Sequence, residues 1–334
     1  MGYKLSTKEF NSVLDTLKED YIIYAPKLLE HKGHFSDTDL VKYEKISKIE
    51  EVEFNIKSKF SFKEVLNPIT ETLFYYTEDN TTVPEGPKKG AIIFLRSCDL
   101  HAVKRLDEIY LENGFPDFYY DRIRQNVKFV LMGCENTFDN CFCVDMGSNT
   151  TSEYDFSVDF KDDYVYVNNK CVDFIDLFKG EEVEVTPSFV ESNKVSVELP
   201  GEVDLSLFSS DIWEEYNKRC ISCGRCNFVC PTCTCYTMQD IFYEDNGKVG
   251  ERRRVWASCH VDGYTDMAGG HAFRNKKSER MRFKVLHKVY DFNKRFGYHM
   301  CVGCGRCDDA CPEYISFSNS INKLTNANKE VKND

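Results

Sequence analysis

Neither a G-x-G-x-x-G turn nor a P-loop occurs anywhere in the sequence, so nucleotide binding has no local support. The seven histidines include no H-E-x-x-H or comparable pair; ordinary polar or core roles are expected for them. Long hydrophobic runs are missing too. The best of them, such as Ala91-Ile92-Ile93-Phe94-Leu95, falls far short of a membrane span. The opening MGYKLSTKEF lacks the apolar core of a secretory signal, so the cytoplasm is the expected compartment. Positive charge is outnumbered overall, 43 Lys and Arg against 55 Asp and Glu. A net charge of −12 opposes attraction to nucleic acid or to an anionic membrane surface, and neither partner is expected.

Cysteine, by contrast, is abundant: sixteen in 334 residues. A reducing compartment disfavours disulfides, and a small disulfide-stapled scaffold would be much shorter. Metal ligation is the remaining common explanation. Two runs carry it, CISCGRCNFVCP from residue 220 and CVGCGRCDDACP from residue 301. Each reads C-x2-C-x2-C-x3-C-P. A spacing of three folds successive thiolates around the inside of one loop, and Gly224 and Gly305 permit the backbone turn this needs. In two-cluster ferredoxins the fourth cysteine of such a run ligates the other cluster. The spacing therefore assigns one [4Fe–4S] cluster to Cys220, Cys223, Cys226 and Cys311, and a second to Cys301, Cys304, Cys307 and Cys230. A pair of zinc knuckles would leave the third cysteine and the Cys-Pro of each run unexplained.

The upstream half reads as α/β. Ser6 and Glu9 form a capping box ahead of Phe10, Val13, Leu14 and Leu17, predicting a helix over residues 6–18. Residues 90–95 form a continuous apolar strand, followed by a polar corner at Ser97, Cys98 and Asp99 and then Leu100, Val103, Leu106 and Ile109 at helical spacing. A second strand, residues 127–132, runs straight into Cys134. This is a parallel βαβ pattern, whose binding loops lie beyond the carboxyl ends of the strands. Cys98, Cys134, Cys141 and Cys143 thus offer four thiols for a candidate third [4Fe–4S] cluster; buried structural cysteines are the competing reading. Residues 153–200 alternate apolar and polar positions and suggest hairpins.

The expected fold is an α/β N-terminal domain with β-hairpin additions, residues 1–205, followed by a mainly helical dicluster ferredoxin-like domain, residues 206–334. Within the latter, residues 236–298 form a helical, basic insertion. Its helix carries Met281, Val285, Val289, Phe292 and Phe296 on one face. Residues 248–295 hold 13 Lys and Arg against five Asp and Glu. They suggest a solvated helix face or a docking patch for an acidic partner. The tail after Ile321 is polar and reads as frayed. Cys171 reads as packing, and Cys233 and Cys235 as neighbours of a cluster. A ligand role for those two with Cys259 and His260 stays open.

The blocks RSCDLHAVKRLDEIY, GCENTFDNCFC, CISCGRCNFVCPTCTCYTMQDI, GGHAFRNKKSERMRFKVLHK and CVGCGRCDDACPE resemble the A-type, iron–sulfur subunits of anaerobic sulfite reductase. That family is related to the β subunits of sulfhydrogenase-type NiFe hydrogenases. The resemblance implies a non-catalytic iron–sulfur subunit that passes electrons from a flavin-containing, NADH-oxidising subunit to a sirohaem subunit reducing sulfite to sulfide. The alternative keeps the relay and replaces the partner by a soluble NiFe hydrogenase or sulfhydrogenase. A cluster-bearing sensor or binding module is a third reading; its DNA-binding form would need a basic surface that the overall acidity withholds.

Overall fold

The computed structural model describes residues 2–333. Strands Gly90–Leu95 and Val127–Met132 pair in parallel, joined by the helix Ser97–Tyr110, as the sequence pattern requires. Both faces of these strands are covered, which is why they are apolar without alternation. Ile92, Phe94, Val130 and Met132 enter one core with Phe10 and Leu14. Ile93, Leu95 and Leu131 enter another with Leu100, Val103 and Leu106. The eight-stranded mixed sheet runs Glu181–Glu182, Gly2–Ser6, Tyr164–Asn169, Phe156–Lys161, Val127–Met132, Gly90–Leu95, Tyr21–Leu29, Leu40–Lys45. The capping box at Ser6 and Glu9 is present and starts the helix Thr7–Leu17.

Four expectations need correction. The insertion is not helical throughout: Tyr236–Phe242 and Gly250–Trp256 form a hairpin whose inner strand pairs with Thr70–Tyr76. This second sheet crosses the expected boundary near residue 205. The basic run is a solvated face only in part, because Arg254, Arg280, Lys284 and Lys288 are buried while Lys248, Arg252, Lys276, Lys294 and Arg295 are exposed. Residues 183–200 form no strand; the last helix holds part of this stretch through side chains, Glu198 N–H donating to Asn322 Oδ1 at 2.8 Å and the Ser196 carbonyl accepting from Asn322 Nδ2 at 3.0 Å. That helix, Phe317–Asn333, is the supposed frayed tail, and Ile321 and Leu324 are fully buried in it.

The helical half of the insertion is as expected apart from one detail. It runs Lys277–Leu286, then a π-helical turn His287–Asp291, then Phe292–Phe296. Met281, Val285 and Val289 pack with Trp213, Tyr216 and Phe142 in a third core. No helix among the described residues is long and apolar enough to cross a membrane.

Candidate iron–sulfur centres

The two cysteine runs fold into the same loop. Ser222 and Gly303 hold positive φ of 60° and 63°, and Gly224 and Gly305 follow at 73° and 69°. Short helices, Arg225–Phe228 and Arg306–Ala310, then begin at equivalent places. The turns aim backbone donors at sulfur: Ser222 N–H reaches Cys220 Sγ at 3.4 Å, and Gly303 N–H reaches Cys301 Sγ at 3.5 Å. Such bonds favour thiolate over thiol.

Cys220, Cys223, Cys226 and Cys311 line one cavity, joined there by Cys307, Lys284 and His260. Three of the four come from the first loop and Cys311 comes from the second. Burial pushes the Cys220 thiol up, and its neighbours Cys226, Cys223 and Cys311 add to the shift. The reciprocal set is equally crossed. Burial pushes Cys301 up to about 12, with Cys230 and Cys304 contributing. Cys230 also bears on Cys304 and Cys307. Cys230 itself is held well below the usual thiol range by a hydrogen bond from Cys233, against the cost of burial, with Lys288 and Thr232 assisting.

The upstream thiols converge as well. Cys98 stands in the first turn of its helix and Cys134 just past the strand Val127–Met132, both on the expected rim. Cys141 and Cys143 follow in the loop, and all four line one cavity together with Lys57, Arg96, Arg306 and Cys304. Burial raises Cys98 well above the ordinary thiol range, and Asp99, Cys143 and Cys304 push the same way. Burial takes Cys143 up to about 12, with Cys141 next in importance. Thiols crowded and buried like this resist ionising together unless positive charge is brought among them. Lys57 supplies some, its Nζ 4.0 Å from Cys141 Sγ and 3.2 Å from the Cys304 carbonyl.

This cavity abuts the second loop. Phe142 N–H donates to the Gly303 carbonyl at 2.8 Å. A Cβ on Gly303 would lie 2.5 Å from the Phe142 carbonyl oxygen, and one on Gly305 only 2.2 Å from that of Asn140. Glycine is required at both positions for conformation and for space.

The donor sets suit iron–sulfur groups: three fours of cysteine sulfur, each with buried cations beside it. The lysines were missed by sequence reasoning, although Lys284 and Lys288 interrupt the apolar stripe of Met281, Val285 and Val289, a visible anomaly. His260 is 1% exposed and its Nε2 has no partner in the cavity wall. Burial first, then Lys284 and Arg280, lower its pKa to about 3. Cys235 and Cys259 contact each other, and Asn227, the neighbour of Cys226, donates to Cys259 Sγ at 3.1 Å. Cys171 is half-buried beside Lys128, whose Nζ lies 3.5 Å from its sulfur.

Residues 219–315 match the family described as a 4Fe-4S dicluster domain, which indicates [4Fe–4S] clusters in that part of the chain. Over 96% of this chain and 97% of the relative, the sequence is 29% identical to sulfhydrogenase 2 subunit beta of Pyrococcus furiosus. The kinship expected from the motif blocks therefore holds along nearly the whole chain. No solved structure matches it.

Proposed function

We propose that this chain is a three-cluster relay subunit of a multi-subunit cytoplasmic oxidoreductase and performs no substrate chemistry itself. In this reading Cys220, Cys223, Cys226 and Cys311 hold one cubane, and Cys301, Cys304, Cys307 and Cys230 a second. Cys98, Cys134, Cys141 and Cys143 hold a third. Bound there, [4Fe–4S] groups supply one-electron carriers at low potential. The chain's own residues orient the sulfurs, exclude water and supply buried positive charge. The observation that carries the reading is the crossed proximity of the two loops, Cys311 to Cys220 and Cys230 to Cys301, beside a third cavity walled by four thiols.

Two partner readings follow. The motif blocks favour a flavin-containing, NADH-oxidising subunit on one side and a sirohaem sulfite reductase subunit on the other. The full-length similarity to a sulfhydrogenase subunit favours a NiFe hydrogenase partner at least as well. Copurification decides: a sirohaem absorption spectrum supports the first, nickel the second. Sulfite turnover by the isolated chain with an artificial donor would contradict the relay reading.

Iron quantification tests the ligand sets. Reconstituted chain should hold about twelve iron atoms if three cubanes form. Cys230→Ser should perturb the cluster of the second loop, and Cys98→Ser should lower iron without touching the other two signals. Iron that stays near eight in fully reconstituted protein removes the third site.

A further inference from the structure

Two buried lysines stand beside the repeat cysteines. Lys284 and Lys288 stand one turn apart, on the helix Lys277–Leu286 and the π-turn after it, at 4% and 2% exposure. Three buried arginines have carboxylates, Arg254 with Glu71 at 2.7 Å, Arg280 with Asp262 at 2.6 Å and Arg306 with Asp99 at 2.6 Å, while Lys63, Arg96 and Arg105 donate to backbone carbonyls. Among the described residues no carboxylate pairs with Lys284 or Lys288. A buried ammonium without a counter-charge is costly, which favours an anionic neighbour.

Sulfur is what surrounds both. Lys288 Nζ donates to Cys230 Sγ at 3.4 Å and to Thr232 Oγ1 at 2.6 Å. Lys284 lines the cavity of Cys220, Cys223, Cys226 and Cys311, together with Cys307 of the second loop. The backbone reinforces this placement. In the π-turn Phe292 N–H bonds back to His287, and the Lys288 carbonyl instead accepts from Met300 N–H at 2.9 Å and Cys301 N–H at 3.4 Å. Single π-turns of this kind often mark functional positions. One residue thus grips the start of the second loop with its carbonyl and a sulfur of the first with its ammonium.

Resting on the ligand sets proposed above, we propose that Lys284 and Lys288 are positioning residues that set the reduction potentials of the two carboxyl-terminal cubanes. Lys288 acts on the cubane held by Cys230, Cys301, Cys304 and Cys307, and Lys284 on both. Reduction adds one negative charge to a group already anionic. A fixed cation at contact distance in a poorly polarisable interior favours that added charge and raises the potential. Lys288 touches a sulfur of one set alone, so it raises that cubane relative to its neighbour and gives the electron a preferred direction between them.

Redox titration of the iron-loaded chain, followed by electron paramagnetic resonance with iron quantification, tests this in K284M, K288M and the arginine variants K284R and K288R. K288M should shift the one-electron equilibrium of one cubane about tenfold toward the oxidised form, about 59 mV lower. The affected signal should be the one that Cys230→Ser abolishes. K284M should shift both signals, and the arginine variants should restore most of each shift. Unchanged potentials at full iron content in both methionine variants overturn the proposal. So does loss of iron in the methionine and arginine variants alike, which marks a structural role. Should K288M alone lose iron, K284M carries the same decision with its two signals. A wild-type chain without cubane iron, or Cys230→Ser with both signals intact, sinks the ligand assignment instead, and is told apart before any lysine is changed.

Discussion

The two cysteine loops share sequence and backbone but not surroundings. Ile221 and Val302 are equivalent, yet the first is 53% exposed and the second 2%. Cys223 is exposed where Cys304 is buried. Arg225 and Arg306 share the Gly-Arg-Cys tripeptide; Arg225 faces solvent, whereas Arg306 donates two bonds to Asp99, at 2.6 and 3.0 Å, in the interior. The repeat specifies how sulfur is presented, and the neighbours specify what the site is for. In the relay reading the exposed loop meets a partner, and the buried loop, wedged against residues 140–142 and the first turn of the helix Ser97–Tyr110, connects inward.

That contrast can be broken by mutation, beginning with the arginines. Arg306→Met strands the Asp99 carboxylate without its cation and should cost about 3–5 kcal/mol. Arg225→Met should stay within about 0.5 kcal/mol of wild type. Urea unfolding of the iron-loaded chain measures both, and equal losses would show the two loops to be equally embedded. The glycines come next. Gly224→Ala and Gly305→Ala each incur about 1–2 kcal/mol for a positive φ. Gly305→Ala should add about 1–3 kcal/mol of overpacking, since its Cβ would sit 2.2 Å from the Asn140 carbonyl oxygen against 2.9 Å from the nearest atom at Gly224.

The smallest effect concerns the helix that joins the loops. Burial, then Lys288 and Arg274, lower the pKa of His287 from 6.5 to about 4. The unfolded chain binds the extra proton first, so this contribution to stability is intact above pH 6.5 and falls away as pH drops toward 4. With its partial exposure allowed for, about 1–2 kcal/mol is at stake. His287→Phe should keep the stack on Phe283, whose ring lies 5.4 Å away, and flatten the acid limb of urea midpoints measured between pH 7.5 and 4.5.

Much of this was legible beforehand for physical reasons. The βαβ unit was readable because both strand faces are covered, leaving an unbroken apolar run, and the loops because thiol spacing around a cubane is rigid. The upstream set was half legible: the rim position of Cys98 and Cys134 follows from strand ends, but nothing local brings Cys141 and Cys143 back to them. The final helix was misread because its polar residues looked solvated. They serve instead as hydrogen-bond partners for an irregular stretch of chain, Thr325 Oγ1 donating to the Glu198 carbonyl at 2.7 Å and Asn328 Nδ2 to that of Glu202 at 2.9 Å. The hairpin of the insertion was hidden because its stabilising strand lies far upstream, and Arg254 finds Glu71 and Asp117 only once the chain is folded.

That distant pairing limits how the molecule can be cut. The strand Gly250–Trp256 borrows its inner neighbour, Thr70–Tyr76, from the opposite half. A fragment starting near residue 206 would contain every sulfur of both repeats. It would also bare a row of unpaired backbone groups, inviting chains to stick edge to edge. Unlike a free-standing ferredoxin, this cassette cannot be lent to another protein without its upstream companion.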